Sequence, residues 1–235
     1  MTITYPLSFP ETVGLTNSNL MMRTSIAMNE SPFSFAQQTY NWSGERWEIE
    51  VALPLMKRAV AEQYKSFLAS LKGRLGTFLI YVPSSRENRG NYLDTSKQLL
   101  TISGDPITTI GSVDIYTSIG EPYAISGNAG SKTIKLSGLI PSTSNAMVSG
   151  DYFHIGDGSS TRLHKILKDA NSDSNGEITL DIFPALRRNI VFGETIELIN
   201  PRGLFRLSSN VTEFASDYNN LFSISFSAIE AINGT

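Results

Sequence analysis

The chain has 235 residues, of which 40% are hydrophobic and 17% charged, with a formal net charge of −3 and no cysteine. This composition fits a globular protein with one large domain or two small ones, because disordered chains combine low hydrophobicity with high net charge. The lack of cysteine excludes disulfide scaffolds, thiolate metal sites and cysteine nucleophiles. The weak acidity argues against a basic nucleic-acid interface.

No segment of the chain looks like a signal peptide or a membrane helix. Residues 1–14, MTITYPLSFPETVG, contain neither the basic region nor the apolar core that signal peptides have. No apolar run approaches the ~20 residues that a membrane-spanning helix needs. We therefore expect the protein to fold in a cytoplasm, without a membrane partner.

The first predicted elements are a strand, a helix and a second strand. Strict alternation of apolar and polar side chains over 47–53 predicts a half-buried strand. An apolar stripe at helical spacing predicts a helix over 56–72, with Gly73 in a left-handed cap just past its end. The apolar run Thr77–Val82 predicts a strand that is buried on both faces.

After residue 84 the chain consists of short β-like runs separated by Gly, Ser, Asn and Pro. Runs at this spacing predict a small barrel or a sandwich. Two of them, Thr161–Lys168 and Glu177–Phe183, are expected to form a hairpin closed by residues 171–176. The candidate strands are 98–103, 107–110, 113–117, 132–136, 152–155, 162–167, 177–182 and 195–199.

The end of the chain is β-like again, with 221–228 alternating between an apolar face and a serine face. Both joints of the middle segment are rich in turn residues, which fits an insertion at a surface loop. We therefore predict a mainly β protein with two domains. A β-sandwich-like domain with one packed helix is formed by 1–90 and 203–235, and a small β-barrel domain, 91–202, is inserted into it.

Candidate catalytic and metal-binding groups are sparse, so we expect no enzyme activity, no metal and no cofactor. His154 and His164 lack the H-E-x-x-H spacing of a zinc site, and no G-x-S-x-G motif singles out a nucleophile. Residues 171–176 imitate the start of a calcium loop, but Ile182 stands where that loop needs a bidentate acid, which favours a hairpin turn. Several aspartates leave a paired-carboxylate glycosidase as an alternative. They are Asp105, Asp114, Asp151, Asp157 and Asp181.

Aromatic residues are denser between positions 33 and 47 than elsewhere in the chain. Three interpretations apply to this cluster: the core of the first domain, a subunit interface, or a platform that stacks on sugars. Trp and Tyr suit interfaces because one end of the side chain is apolar and the other can hydrogen-bond. The candidate interface residues are Phe33, Phe35, Tyr40 and Trp42, and Trp47 completes the cluster.

Several stretches of the sequence resemble a family of tail proteins from long-tailed bacteriophages and prophages. They are YPLSFP, SPFSFAQQTYNWSGERWEIEVALPLMKR, GTFLIYVP, VSGDYFHIGDGSSTRLHKIL, ITLDIFPALR, PRGLFRL and ISFSAIEA. These stretches span nearly the whole chain, and they are packing and turn patterns, which carry no chemistry. The family that they resemble is the distal tail protein, the baseplate ring that joins the tail tube to the tail tip.

The resemblance implies a structural protein of the virion tail that is assembled in the host cytoplasm. Proteins of this family typically form a hexameric ring through which the genome passes on ejection, without binding nucleic acid specifically. The implied partners are copies of the same chain, the tail tube protein, the tail hub or tip proteins and the tape measure protein. Some members carry an added OB-type barrel, which here would be 91–202, and the helix packed on the ring domain would be 56–72.

Other functions stay open at this point. Within the tail, the alternatives are a tail hub or a tail-completion protein. Outside the ring role, the alternatives are a host-carbohydrate-binding module in 91–202 and a glycan-cleaving tail enzyme that uses two of the aspartates named above. OB-type barrels elsewhere bind sugars or nucleic acid, but this analogy rests on fold alone. The aromatic residues of that segment are scattered: Tyr92, Tyr116, Tyr123, Tyr152 and Phe153.

Overall fold

A computed structural model of the chain describes residues 3–83, 86–92, 122–211, 214–216 and 221–232. Over these residues the fold is mainly β with a single α-helix, which confirms the predicted fold class. The helix α1 spans Arg58–Ser70, and no helix in the described ranges is long and apolar enough to cross a membrane. The strands are β1 (Leu7–Ser8), β2 (Asn17–Glu30), β3 (Gln37–Ala52), β4 (Met56–Lys57), β5 (Phe78–Tyr81), β6 (Tyr123–Ser126), β7 (Thr133–Ser137), β8 (Tyr152–Ile155), β9 (Arg162–Ile166), β10 (Ile178–Phe183), β11 (Glu194–Glu197), β12 (Arg202–Leu207), β13 (Phe214–Ser216) and β14 (Leu221–Glu230).

The contacts divide the chain into two compact units. The first unit contains the two ends of the chain, up to Arg86 and from Asn200 onward, together with Asp157–Leu163. The second unit contains Glu87–Gly156 and His164–Ile199. The sequence placed Asp157–Leu163 in the inserted domain, whereas its contacts place it in the first unit. The candidate strands 98–103, 107–110 and 113–117 lie outside the described residues.

Eight described strands of the first unit form one sheet. Its main path runs β1-β5-β12-β14-β3-β2, and β4 and β13 also pair with β14. The strand β14 is antiparallel to both of its neighbours on this path, with Phe226 opposite Val51 and Phe205 opposite Glu230. The short strand β1 is parallel to β5. The N-terminal and C-terminal parts of the chain are therefore joined side by side in a single sheet.

Alternation along the central strands decides which face of the sheet is buried. In β3, Trp47, Ile49 and Val51 are buried, as the pattern over 47–53 predicts. In β14, Ile224 and Phe226 are buried on the same face, and the serines that alternate with them are exposed. Since β3 and β14 show the same alternation, these two neighbouring strands present one apolar face and one polar face.

The helix α1 packs on the apolar face. Its buried side chains are Ala61, Tyr64, Phe67 and Leu68. The ring of Phe67 meets the rings of Phe9 and Phe78 edge-on, each at 5.6 Å between ring centroids, which is a favoured aromatic geometry. The predicted helix over 56–72 is confirmed over Arg58–Ser70; Met56–Lys57 forms the strand β4 paired with β14, and the helix ends two residues before Lys72. Gly73 has φ of 65°, the left-handed conformation predicted for it.

The second unit is built on a closed barrel, whose strands follow the order β10-β7-β6-β11-β8-β9. The predicted hairpin of β9 and β10 is present, with Ile182 opposite Ile166. The predicted small barrel is thus confirmed, although its six described strands exceed the five of an OB-type barrel. Its interior is filled by apolar side chains that include Ala124, Ile134, Leu136, Phe153, Ile155, Leu180, Ile182 and Ile196.

Replacing Phe78 by Ala should destabilise the first unit, because this fully buried ring contacts Phe67, Phe205 and Phe226. Deleting a buried phenylalanine costs about 3–5 kcal/mol through lost burial and the cavity left behind. The matched control is Leu75→Ala, where the side chain is 57% exposed and a change within about 0.5 kcal/mol is expected. Urea unfolding followed by tryptophan fluorescence measures both, and equal effects would contradict the assigned core.

An exposed hairpin arm as the candidate functional site

The hairpin of β2 and β3 extends beyond the sheet that supports it. The two strands pair from Asn17 opposite Ala52 to Glu30 opposite Gln37. The strand β14 pairs with β3 only over residues 48–52. Residues 23–30 and 37–46 therefore form a two-stranded ribbon, and we call residues 23–46 the arm. At a rise of ~3.3 Å per residue the arm is about 26 Å long.

A tight turn closes the tip of the arm. The backbone N–H of Phe35 donates to the carbonyl of Ser31 at 2.9 Å, and the N–H of Ser31 donates to the carbonyl of Ala36 at 3.0 Å. Phe35 has φ of 55°, in the left-handed region. The side chain of Gln37 donates to the carboxylate of Glu30 at 2.6 Å and ties the two strands together beside the turn. The tip is thus held by its own hydrogen bonds, with its two phenylalanine rings directed to solvent.

A bulge in β3 interrupts the pairing halfway along the arm. The register shifts after Ser25, and Ile26 lies opposite Asn41, so that Trp42 and Ser43 are additional residues in β3. Ser43 has φ of 57°, and its backbone N–H donates to the side-chain oxygen of Asn41 at 2.8 Å. Bulges bend a strand and change the direction of the neighbouring side chains. Here the result is that the ring of Trp42 lies beside that of Tyr40.

The four candidate interface residues all lie on the arm and face solvent. Their exposed fractions are 96% for Phe33, 74% for Phe35, 62% for Tyr40 and 65% for Trp42. The rings of Tyr40 and Trp42 meet edge-on at 4.8 Å between centroids. Trp47, the fifth aromatic residue of the cluster, is only 1% exposed. The core interpretation is therefore correct for Trp47 and wrong for the other four.

The arm exposes apolar side chains on both faces. Ala27 lies opposite Tyr40, so these side chains share one face of the ribbon. Ile26 and Met28, which are 56% and 61% exposed, alternate with Ala27 and lie on the other face. Residues 24–44 contain one charged side chain, that of Glu30. A run of this length with so little charge, exposed to solvent on both faces, is typical of a surface that another protein covers.

The exposed aromatic area on the arm approaches that of a protein interface. A Phe, Tyr or Trp side chain can bury ~150–250 Å², so the four rings offer roughly 600 Å². A standard interface buries about 800 Å² per partner. The aliphatic side chains of Ile26 and Met28 add to the aromatic area. The arm by itself can therefore supply most of one side of a stable interface.

The base of the arm is charged, in contrast to its outer part. Arg23 lies opposite Arg46 in the ribbon. The carboxylate of Glu48 accepts hydrogen bonds from both guanidinium groups, at 3.4 Å from Arg23 and 2.6 Å from Arg46. This network marks where the neutral surface of the arm ends.

The two histidines occupy structural positions in the barrel. His154 is half-buried in β8, opposite Glu197 of β11. His164 is 1% exposed, with its Nδ1 at 2.9 Å from the carbonyl oxygen of Pro184 and its ring 5.5 Å from that of Phe153. Among the described residues, no group of three or more His, Asp or Glu side chains is arranged to hold a metal ion.

The candidate aspartates that are described have structural partners. Asp151 is buried, and its carboxylate accepts the backbone N–H and the Nε–H of Arg89, each at 2.7 Å, which raises the pKa of that guanidinium. Asp157 caps a turn of 3-10 helix, where its N–H donates to the hydroxyl of Ser160 at 3.1 Å. Asp181 lies in β10, opposite Thr133. Asp105 and Asp114 lie outside the described residues.

Residues 171–176 form a turn, as predicted in preference to a calcium loop. The carboxylate of Asp173 accepts the backbone N–H groups of Asn175 at 2.8 Å and Glu177 at 2.9 Å. These hydrogen bonds, with that from Glu177 the stronger, lower the pKa of Asp173 because they favour its charged form. The carboxylate therefore serves to close the turn that joins β9 to β10.

The aromatic residues of the barrel do not form one exposed platform within the described part of the chain. Tyr92 and Phe153 are buried, and burial raises the pKa of the Tyr92 hydroxyl. Tyr123 and Tyr152 are half-buried, and Tyr116 is not among the described residues. The sequence interpretation missed Phe192, which is 72% exposed and meets the ring of Tyr123 edge-on at 5.9 Å.

No family model matches the chain, and no curated protein matches it either. The interpretation of the arm therefore rests on its own geometry. The sequence identified its aromatic residues but not the strand β2 or the first half of β3. The only signal that could have pointed to them was the rarity of charge over residues 24–44.

Acidification should destabilise the barrel through Asp173. Its folded-state pKa lies below the ordinary value of 3.8, so the folded chain binds this proton more weakly than the unfolded chain does. The resulting stabilisation is complete above about pH 4 and is lost as the pH falls through the folded-state pKa. In thermal unfolding between about pH 6 and pH 2, Asp173→Asn should lose less stability on acidification than the wild type. Identical pH profiles would contradict this role.

Proposed function

We propose that the protein is a non-enzymatic structural subunit that assembles with copies of itself, and specifically the distal tail ring protein of a long-tailed bacteriophage. The ring connects the tail tube to the tail tip or baseplate hub, and DNA passes through it on ejection. The observation that carries the proposal is the arm, which exposes apolar side chains on both faces and at its tip. The resemblance of the sequence to distal tail proteins supplies the specific role.

Self-assembly is supported by the energetics of the arm. A two-stranded hairpin in water is marginally stable by itself, so cover from a neighbouring copy stabilises its backbone pairing as well as its side chains. Trp and Tyr are enriched among the residues that dominate interface energies, and the arm carries Tyr40 and Trp42 side by side. An arm that leaves its own sheet is well placed to reach a neighbouring copy.

A ring follows from a head-to-tail contact between copies. An arm that docks on a different surface of the next copy makes a head-to-tail contact, and such contacts generate rings when the rotation closes. We expect six copies, following the family that the sequence resembles. The tail tube protein and the hub or tip proteins bind the two sides of this ring, and the tape measure protein lies along the tail axis. The barrel has a hydrophobic core of its own, which fits an added domain.

Removing the apolar side chains of the arm should abolish self-assembly. The variant replaces Phe33, Phe35, Tyr40 and Trp42 by Ser, and the matched control replaces Val191 and Phe192, which are 67% and 72% exposed, by Ser. Light scattering and negative-stain imaging of the concentrated protein should show closed rings for the wild type and the control. The arm variant should be a folded monomer. Rings formed by the arm variant would contradict the proposal that the arm mediates assembly.

The role in the tail is tested in the virus. Particles assembled without this protein should have tail tubes that lack a joined tip, and supplying the wild-type chain should restore the tip. Supplying the arm variant should not restore it, because the ring cannot close. Intact and infectious particles made without the protein would contradict the tail-ring proposal, even if purified chains form rings.

A further inference from the structure

The two end strands of the sheet in the first unit differ in how open their edges are. At one end β1 has two residues and lies between Pro6 and Pro10, which is a blunted edge. At the other end β2 has 14 residues, contains no proline and follows an uninterrupted course, since the bulge of the hairpin lies in β3. A long and regular edge strand is a template for pairing with another chain.

The arm carries a second open edge, on the part of β3 that lies beyond the bulge. In the described part of the chain, β14 pairs with β3 only as far as Glu48. Residues 37–41, which lie beyond the bulge, therefore present a backbone edge on the side away from β2, and all five are exposed. The edge of β2 over residues 23–30 is exposed along its whole length as well. The arm is thus a ribbon with one edge on each side.

The directions of the two edges are complementary. The strand β2 runs from the base of the arm to its tip, and β3 runs from the tip back to the base. When two arms lie side by side and point the same way, β2 of one meets β3 of the next in antiparallel orientation, as it does inside the hairpin. Pairing of β2 with β2 instead makes the arms point in opposite directions and closes a dimer.

We propose, on the basis of the self-assembly proposed above, that the edge of β2 within residues 23–30 pairs with the β3 edge, residues 37–41, of the next copy. Backbone hydrogen bonds then continue from arm to arm as one antiparallel sheet around the ring. Each copy gives one edge and receives the other, so the contact is head-to-tail and closes by rotation. The single charge within residues 24–44, that of Glu30, leaves little repulsion between neighbouring arms.

The pairing of backbone edges also brings apolar side chains of neighbouring arms together. Tyr40 of every copy lies on one face of the continuous sheet, and Ile26 and Met28 lie on the other face. The roughly 600 Å² of exposed aromatic surface estimated for each arm becomes partly covered by the adjacent arms. The backbone edges account for the direction of assembly, which apolar contacts alone do not determine.

Cysteine cross-linking tests the pairing, because the chain has no cysteine of its own. The β2 variant Ala27→Cys is mixed in turn with four β3 variants and oxidised. The β3 variants are Gln37→Cys, Gln38→Cys, Thr39→Cys and Asn41→Cys. Disulfide-linked pairs should form between β2 and β3 variants whose Cβ atoms come within ~3.5–4.5 Å, and Ala27→Cys by itself should stay uncrosslinked. Efficient cross-linking of Ala27→Cys to itself would overturn the head-to-tail pairing.

Amide hydrogen exchange on the assembled wild-type protein tests the same pairing. It requires no assumption about which residues of the two strands lie opposite each other. In a strand with one partner, every second amide is protected, whereas in a strand with partners on both sides consecutive amides are protected. Consecutive protection along 37–41 and along the part of 23–30 that pairs with it supports the proposal. Rings in which every second amide of β2 exchanges rapidly would overturn edge pairing and leave the ring proposal standing. A chain that stays monomeric at high concentration would overturn both.

Discussion

The point at which β14 stops pairing with β3 determines much of the character of the first unit. The last pair of this ladder joins Ile229 to Glu48, and the carboxylate of Glu230 then accepts the backbone N–H of Trp47 at 3.0 Å. In the described chain, the part of β3 beyond Trp47 pairs only with β2, so the two halves of β3 lie in different environments. Its second half is part of a sheet that α1 covers, and its first half is a ribbon in water. Trp47 and Trp42 are close in sequence and differ completely in exposure for this reason.

The two units differ in whether their sheets have open edges. The barrel of the second unit closes on itself, and closure removes every strand edge. Asp173 holds one of its turns through local hydrogen bonds to the backbone, and the contact of Asp151 with Arg89 joins parts of this unit that are distant in the chain. The sheet of the first unit is open, blunted at β1 and long at β2. Among the described residues, the strand edges suited to joining copies therefore lie in the first unit, which fits the proposed assembly through the arm.

The apolar surface of the protein is distributed in the same uneven way. Both units bury a core of aliphatic and aromatic side chains, and the arm exposes rings that a stable monomer would be expected to cover. Its turn and its bulge hold those rings in defined positions through backbone hydrogen bonds. A surface that is both apolar and locally ordered loses little conformational entropy on binding, which favours association.

The sequence by itself determined the strands and the helix in which one face is more buried than the other. Alternation over 47–53, the apolar stripe of the helix and the barrel strands from residue 132 onward were all predicted, because burial of one face leaves a period in the residue types. The sequence could not reveal β2 or the first half of β3, since a ribbon with both faces exposed has no such period. The tertiary structure alone decided that four of the five clustered aromatic residues are exposed. It did so because exposure depends on where β14 ends, and that end lies about 180 residues away in the chain.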